Sequence, residues 1–263
     1  TAFADLGGIL ERGGDASYGA EQVVNCDTPD GMTSALVTIQ QSGGAILVGS
    51  GDETSISMGA GGFALVNQDG VVDQSSVQVA GTQPESPYVV AELGGLGYLG
   101  REATSYRLTR DEVLRAELVL DDLTGVVVRA VTYHADGTPY CMHRFISFEP
   151  GARQFPVHET GDQAALVPLA ADVVSPFPES VSGFARADQY EDVDGLKFAY
   201  YSDGFFSFAV FETRAIVPLA DAGVVRLGEG EYQRVFTPGQ VFYSWETRHG
   251  GMAMVGDLPP DMH

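Results

Sequence analysis

Short apolar runs separated by turn-forming residues fill most of this chain, and they restrict it to a fold built from β-strands. In the first seventy residues the runs are Tyr18–Cys26, Thr33–Gln40, Ala45–Gly49, Thr54–Met58 and Phe63–Asn67. The connectors include Pro29-Asp30-Gly31 and Asp69-Gly70, which are residue types that tight turns require. The pattern predicts a meander of antiparallel strands.

The clearest hairpins lie between residues 104 and 148. Their runs are Thr104–Leu108, Val113–Leu120, Gly125–His134 and Tyr140–Phe148. In the second run Leu114, Ala116, Leu118 and Leu120 alternate with other residues, which predicts a strand with one buried face. The opening stretch Thr1–Ser17 differs, because it places Phe3, Leu6 and Leu10 near one helical face and predicts a short helix.

A stretch with five prolines separates these hairpins from a second set of β runs. Residues 149–184 show no sustained periodicity, which is typical of a linker. The later runs are Lys197–Tyr201, Phe205–Phe211, Val224–Leu227, Glu231–Phe236, Val241–Thr247 and Met252–Val255. Because 263 residues suit two cores, the sequence predicts a first domain at 1–150, a linker at 151–180 and a smaller domain at 181–263.

The charge balance excludes one class of partner. The chain has 14 Lys and Arg against 36 Asp and Glu, giving a formal net charge of −22, and Lys197 is its single lysine. A phosphate backbone would be repelled by such a surface, so we expect no nucleic-acid binding. The chain also lacks an apolar run long enough to span a bilayer, and we expect a soluble mature protein or ectodomain.

Residues that could carry catalysis or hold a metal follow no motif of the required spacing. The five histidines match no zinc pattern, and His134 and His143 are interpreted as solvated strand positions. The acidic run around Asp188 and Asp194 is interpreted as a surface turn, and the glycines from Gly94 to Gly100 as turn formers. The sequence therefore predicts no catalytic residue, no metal site and no cofactor.

Cys26 and Cys141 are the only cysteines, and each lies at the end or the beginning of a β run. In an oxidising compartment the two could form a disulfide, but adjacency of their strands does not follow from the sequence. A disulfide and two buried thiols both remain open.

Several motifs occur along the chain in an order met in one known family. They are Gly100-Arg101-Glu102-Ala103, Leu120-Asp121-Asp122-Leu123-Thr124-Gly125, Ala135-Asp136-Gly137, Phe145–Gly151, Ser202-Asp203-Gly204 and Val255-Gly256-Asp257-Leu258-Pro259. In this order they resemble the periplasmic sigma-E factor regulatory proteins of the RseB/MucB type. The first domain of that family has the fold of the LolA-like lipoprotein carriers.

The resemblance implies a mainly β (α+β) fold. Its first domain would be an N-terminal open antiparallel half-barrel cupping a helix, followed by a smaller β-rich C-terminal domain. It implies a non-enzymatic sensor on the extracytoplasmic side of the membrane, periplasmic or at the cell surface. The partners implied are the extracytoplasmic segment of a membrane anti-sigma factor and a lipid or acyl chain, and a homodimer is compatible with them.

Under the same resemblance, a hydrophobic ligand would lie between the helix and the concave face of the first sheet. The candidate ligand-binding residues are Val37, Ile39, Phe63, Leu65, Leu114 and Leu118. The alternative is that these residues form a filled core. Two other functions stay open beside the regulatory one: a lipid or lipoprotein carrier without a regulatory role, and a secreted acidic hydrolase.

Overall fold

Two antiparallel sheets form the framework of the protein, one in each of two structural units. The first unit contains Thr1–Gln78 and Pro87–Gln163, and the second contains Val79–Ser86 and Ala164–His263. The computed structural model describes residues 3–4, 6–14, 16–42, 45–50, 54–59, 62–67, 70–76, 86–151, 167–168, 176–191, 195, 197–219, 221–228, 230–237 and 239–258. For residues 3–4, 11–12, 42–76, 167–168 and 237 the description covers the backbone alone.

The first sheet has twelve strands, and most neighbours in it are also neighbours in sequence. The strands are β1 Phe3–Ala4, β2 Tyr18–Thr28, β3 Gly31–Ser42, β4 Ala45–Ser50, β5 Thr54–Gly59, β6 Gly62–Asn67, β7 Gly70–Ser76, β8 Val89–Tyr98, β9 Arg101–Arg110, β10 Val113–Asp121, β11 Val127–Tyr133 and β12 Pro139–Pro150. Their order is β1-β8-β9-β10-β11-β12-β2-β3-β4-β5-β6-β7. Among these strands, β1 and β7 end the order without pairing with each other, so the sheet is open.

Helix α1, Leu6–Gly14, covers part of this sheet. It has nine residues, too few for a stable helix in isolation, so packing must hold it in place. Leu6 and Ile9, three positions apart and therefore on one helical face, are both buried. No helix in the described part of the chain combines the length and the apolar character needed to cross a membrane.

The C-terminal end of α1 is fixed at two points. The side-chain amide of Gln41, on β3, donates 2.8 Å hydrogen bonds to the carbonyl oxygens of Gly13 and Gly14, which have no partner within the helix. Gly13 also lies against the backbone of Gly125 and Val126, where a Cβ would come within 2.8 Å of the Gly125 oxygen. The helix therefore connects β3 with the turn between β10 and β11.

The first sheet is strongly curved at the end where β8 meets β9. The Tyr98 hydroxyl donates a 3.0 Å hydrogen bond to the carbonyl oxygen of Phe145, and the Arg101 guanidinium lies 5.5 Å from the centre of the Phe148 ring. In a flat sheet β8 and β12, four strands apart in the order, would be about 19 Å apart. Together with α1 on one face, this curvature confirms the predicted open, mainly β fold of the first unit.

The second unit is a smaller antiparallel sheet with an aromatic core. Its strands are β13 Val167–Pro168, β14 Ser180–Val181, β15 Phe184–Glu191, β16 Lys197–Ser202, β17 Ser207–Thr213, β18 Gly223–Leu227, β19 Gly230–Thr237, β20 Gln240–Thr247 and β21 Gly250–Asp257. The main order is β13-β15-β16-β17-β21-β20-β19-β18, with β14 beside β15. Phe208 stacks on Tyr201 with ring centres 4.9 Å apart and meets Phe184 at 5.2 Å.

Three local expectations were wrong. Phe3 lies in strand β1 and not on the helix. Gly94, Gly95 and Gly97 belong to β8 and not to a turn, and Gly94 has a φ of +123° beside a register shift after Glu92. Gly100 does lie in the turn before β9, with a φ of +75°. Asp188 belongs to β15 and not to a turn. Pairing with a neighbouring strand overrides the helical pattern at Phe3 and the local turn propensity at the other positions.

Candidate functional site

The strand register places several of the predicted ligand-binding residues on one face of the first sheet. Directly opposed residues on antiparallel strands point to the same face. One set of such residues, which we call the histidine row, is Tyr106, Leu118, Ala130, His143, Val24 and Ala35. Val37 and Ile39 follow Ala35 at steps of two along β3, so they share this face with Leu118.

A second set of opposed residues runs parallel to the first across seven strands. This disulfide row is Val90, Leu108, Ala116, Thr132, Cys141, Cys26 and Thr33. Six of its members are buried, and Leu108 and Ala116 are fully enclosed. The two rows define one buried face, and because Gln41 is two residues beyond Ile39 on β3 and bonds the end of α1, this is the face that α1 covers.

The predicted ligand-binding residues differ in their surroundings. Val37 and Ile39 belong to one buried cluster with Tyr18, Ala20 and Phe145, among others. Leu118 is only 1% exposed. Phe63 and Leu65 lie on β6, where their side chains are outside the described part of the structure.

Leu114 does not follow the alternation that the sequence suggested. It is opposite Thr109, whereas Ala116 is opposite Leu108, so the register shifts by one residue at Arg115. Such a β-bulge reverses the alternation of side chains along the strand. Leu114 is therefore half-buried on the side opposite to Leu118, and the predicted common face of these two leucines was wrong.

A disulfide joins Cys26 on β2 to Cys141 on β12, and the two residues are directly opposed in the sheet. They are 115 positions apart in sequence. His143 lies two residues along β12, with Nε2 3.3 Å from Cys141 Sγ. Burial lowers the pKa of His143 to about 4, so the imidazole is neutral at pH 7. The interpretation of His143 as a solvated strand position was wrong.

Two of the motifs that carry the family resemblance meet in space. Arg101, from the first hairpin motif, donates from Nε and Nη2 to both carboxylate oxygens of Asp121, from the second, at 2.8–3.1 Å. Asp121 is 2% exposed, whereas the Arg101 side chain is 27% exposed. The turn after Asp121 is closed by a 2.8 Å bond from the Gly125 amide to the Asp121 carbonyl. Both motifs are recognisable in the sequence, but the sequence does not predict that Arg101 and Asp121 form an ion pair.

A surface cleft of 490 Å³ opens beside this ion pair. It is lined by Gly100, Arg101, Glu102, Asp121, Asp122 and Leu123. Leu123 is 83% exposed and contributes an apolar side chain to the cleft. The cleft thus offers an apolar contact flanked by one cation and three carboxylates.

The two motifs of the second unit also meet. In the first, Asp203 accepts hydrogen bonds at Oδ1 from the Phe205 and Phe206 amides. In the second, Asp257 is the last paired residue of β21, opposite Ser207. Burial raises the pKa of Asp257 to about 7, and the negative charge of Asp203 acts in the same direction. This end of the sheet is therefore sensitive to protonation near neutral pH.

We expect the Asp257→Asn variant to be more stable than the wild type at pH 8 by about 2 kcal/mol and equally stable near pH 4. Asp257 holds a proton in the folded state up to about pH 7 but loses it near pH 3.8 when unfolded. The protonated Asp257 therefore makes its full contribution to stability below pH 3.8. This contribution is lost as the pH rises from 3.8 to about 7, because the unfolded chain gives up the proton more readily than the folded protein. The difference between a pKa of about 7 in the folded state and 3.8 in the unfolded state corresponds to about 4 kcal/mol, which we halve because the side chain is partly exposed.

Urea unfolding at pH 4, 6 and 8 measures this difference between variant and wild type. Asp221→Asn is the matched control, since Asp221 lies in an exposed turn of the same unit. A stability difference for Asp257→Asn that does not change with pH would contradict the assigned protonation.

Comparison with known proteins finds likeness at the level of solved structures. No protein-family model matches the sequence, and no curated protein matches it. The MucA/MucB complex of Pseudomonas aeruginosa is 20% identical to this chain, covers 97% of this chain and 94% of its own, and has a TM-score of 0.53. A crystal structure of MucB is also 20% identical, with 96% and 91% covered and a TM-score of 0.55. The likeness shows that the fold is shared along nearly the whole chain.

Proposed function

We propose that this protein is a non-enzymatic regulatory protein of the RseB/MucB type, which binds the extracytoplasmic segment of a membrane anti-sigma factor. The observation that carries the proposal is the fold shared with MucB over both units. The motif order adds support, because Arg101 and Asp121, taken from two of those motifs, form an ion pair whose carboxylate is buried. MucB itself has been crystallised together with MucA.

The disulfide supports an extracytoplasmic location. Stable disulfides between buried cysteines are typical of oxidising compartments and rare in the cytosol. The periplasm or the outer surface of the membrane is therefore the location that fits this function.

Calorimetric titration with peptides tests the proposal. The oxidised protein is titrated with the extracytoplasmic segments of the anti-sigma factors of its host. We expect one segment to bind with a Kd below about 10 μM and its scrambled sequence not to bind. If no segment binds, the regulatory function is excluded.

We place the partner's segment at the cleft beside Arg101 and Asp121. The cleft combines the exposed apolar side chain of Leu123 with the charges of Arg101, Glu102 and Asp122, so it offers a peptide both an apolar and a polar contact. We expect Leu123→Asp to weaken peptide binding by more than about tenfold, since it puts a charge where the apolar contact forms. Met32→Asp is the matched control, because Met32 is also exposed, at 72%, but begins β3 at the end away from Gln41 and the α1 terminus. If Leu123→Asp and Met32→Asp weaken peptide binding equally, the interface does not lie at this cleft.

Lipid binding is the second candidate, favoured by the length of the buried face. The disulfide row crosses seven strands, about 29 Å, whereas nine helical residues extend only about 14 Å. Because six members of this row are already buried, an acyl chain would enter beside α1 by displacing the side chains that cover them. The Leu118→Trp variant separates this arrangement from a filled core.

We expect Leu118→Trp to lose about 1–3 kcal/mol of unfolding free energy, because Leu118 is 1% exposed and a larger side chain would overfill its surroundings. The measurement combines urea unfolding with uptake of a fluorescent fatty acid. A variant as stable as the wild type that no longer takes up the fatty acid would instead establish an acyl pocket at this position.

A further inference from the structure

Three side chains on the buried face of the first sheet carry ligand atoms for a thiophilic metal. They are Cys26, Cys141 and His143, and their two sulfur atoms and one imidazole nitrogen all lie within 4.8 Å of one another. In the oxidised protein the two sulfurs are bonded to each other. We propose that reduction of this disulfide creates a Zn²⁺ site with two thiolate ligands and one imidazole ligand.

The distances fit this cation. In a tetrahedral site with Zn–S near 2.3 Å and Zn–N near 2.05 Å, a sulfur and a nitrogen ligand are about 3.6 Å apart. Cys141 Sγ and His143 Nε2 are 3.3 Å apart. Thiolates and imidazole are the ligands that Zn²⁺ prefers, and three protein ligands leave its fourth position open.

The backbone keeps the two cysteines together after the bond is cut. Cys26 lies on β2 between β12 and β3, and Cys141 lies on β12 between β11 and β2, so each strand is hydrogen-bonded along both edges. The carbonyl oxygens of Cys26 and Cys141 also accept 3.4 Å bonds from the Thr33 and Thr132 hydroxyls. The thiols can separate to the S···S distance of a metal site by side-chain rotation alone.

The site forms in two steps, reduction of the disulfide and binding of the metal. A dithiol reductant gives two electrons and two protons to the Cys26–Cys141 disulfide and itself becomes a disulfide. Binding of Zn²⁺ then releases both thiol protons, because the thiolate is the ligand form. The oxidation state of the pair therefore decides whether this face holds a metal.

Titration with Co²⁺, a spectroscopic substitute for Zn²⁺, tests the proposal. The full chain is reduced with excess dithiol under anaerobic conditions and freed of reductant by gel filtration. We expect one equivalent of Co²⁺ to produce thiolate-to-metal charge-transfer absorption that Zn²⁺ abolishes. The oxidised protein should give no such absorption, because its sulfurs are not available as thiolates.

His143→Asn should weaken Co²⁺ binding by more than about tenfold. The matched control is His134→Asn, which alters the histidine beside Tyr140 and should leave the affinity unchanged. Near-ultraviolet circular dichroism reports whether each reduced protein keeps its fold. Absence of charge-transfer absorption, equal affinity of His143→Asn and wild type, or loss of the fold on reduction would each overturn the site.

Discussion

Reduction of the Cys26–Cys141 bond is expected to lower the unfolding free energy of the first unit by about 4–5 kcal/mol. The bond closes a loop between residues 115 positions apart, and a cross-link stabilises a fold by removing conformations from the unfolded chain. For a loop of this length the chain-entropy relation gives about 4.8 kcal/mol at 25 °C. This is a large part of the stability of an ordinary domain.

Urea unfolding of the wild type with and without a phosphine reductant measures this loss. The Cys26→Ala/Cys141→Ala double variant is the control: it should be destabilised without reductant and should not respond to it. A wild type whose unfolding midpoint stays the same after complete reduction would show that the cross-link contributes no stability.

Loss of the Arg101 guanidinium should be the second largest effect, and we expect Arg101→Ala to lower the midpoint of urea unfolding. Asp121 is 2% exposed, so the substitution leaves a carboxylate buried without its cation. Solvent screens part of this loss, because the Arg101 side chain itself is 27% exposed.

Two further variants identify the cause of this loss. Arg101→Lys keeps the charge but cannot make the bidentate contact, so we expect its unfolding midpoint to lie between those of Arg101→Ala and the wild type. Arg101→Met/Asp121→Leu removes both charges and should recover most of the loss of Arg101→Ala. If the double variant is as unstable as Arg101→Ala, the lost packing of Arg101 on Phe148 explains the effect and the ion pair does not.

The strands were largely predictable from the sequence, but their neighbours in the sheet were not. Apolar alternation and turn residues are local signals, and they located strands such as Val113–Asp121 and Pro139–Pro150 to within two residues at each end. The pairing of β12 with β2 joins residues more than a hundred positions apart, and no local pattern encodes it. For the same reason, the sequence left the state of Cys26 and Cys141 undecided.

The candidate site was predictable only in part. Val37, Ile39 and Leu118 were singled out by their alternation, and the structure places them on one buried face. Leu114 was misplaced because a bulge at Arg115 depends on how β10 pairs with β9. Arg101 and Asp121 are twenty positions apart and meet because β9 and β10 are adjacent. The chain has 36 acidic residues, so charge alone does not identify Asp121 as the partner of Arg101.

The pairing of β12 with β2 also sets the order in which this protein can fold as the chain is synthesised. Strand β2 is complete at residue 28, but its partner β12 ends at Pro150, so one edge of β2 has no native neighbour until more than half of the chain has emerged. Non-local pairing of this kind slows folding, and an open strand edge invites pairing with other chains. The interval between the emergence of β2 and that of β12 is therefore the stage of biogenesis at which this protein most needs a chaperone.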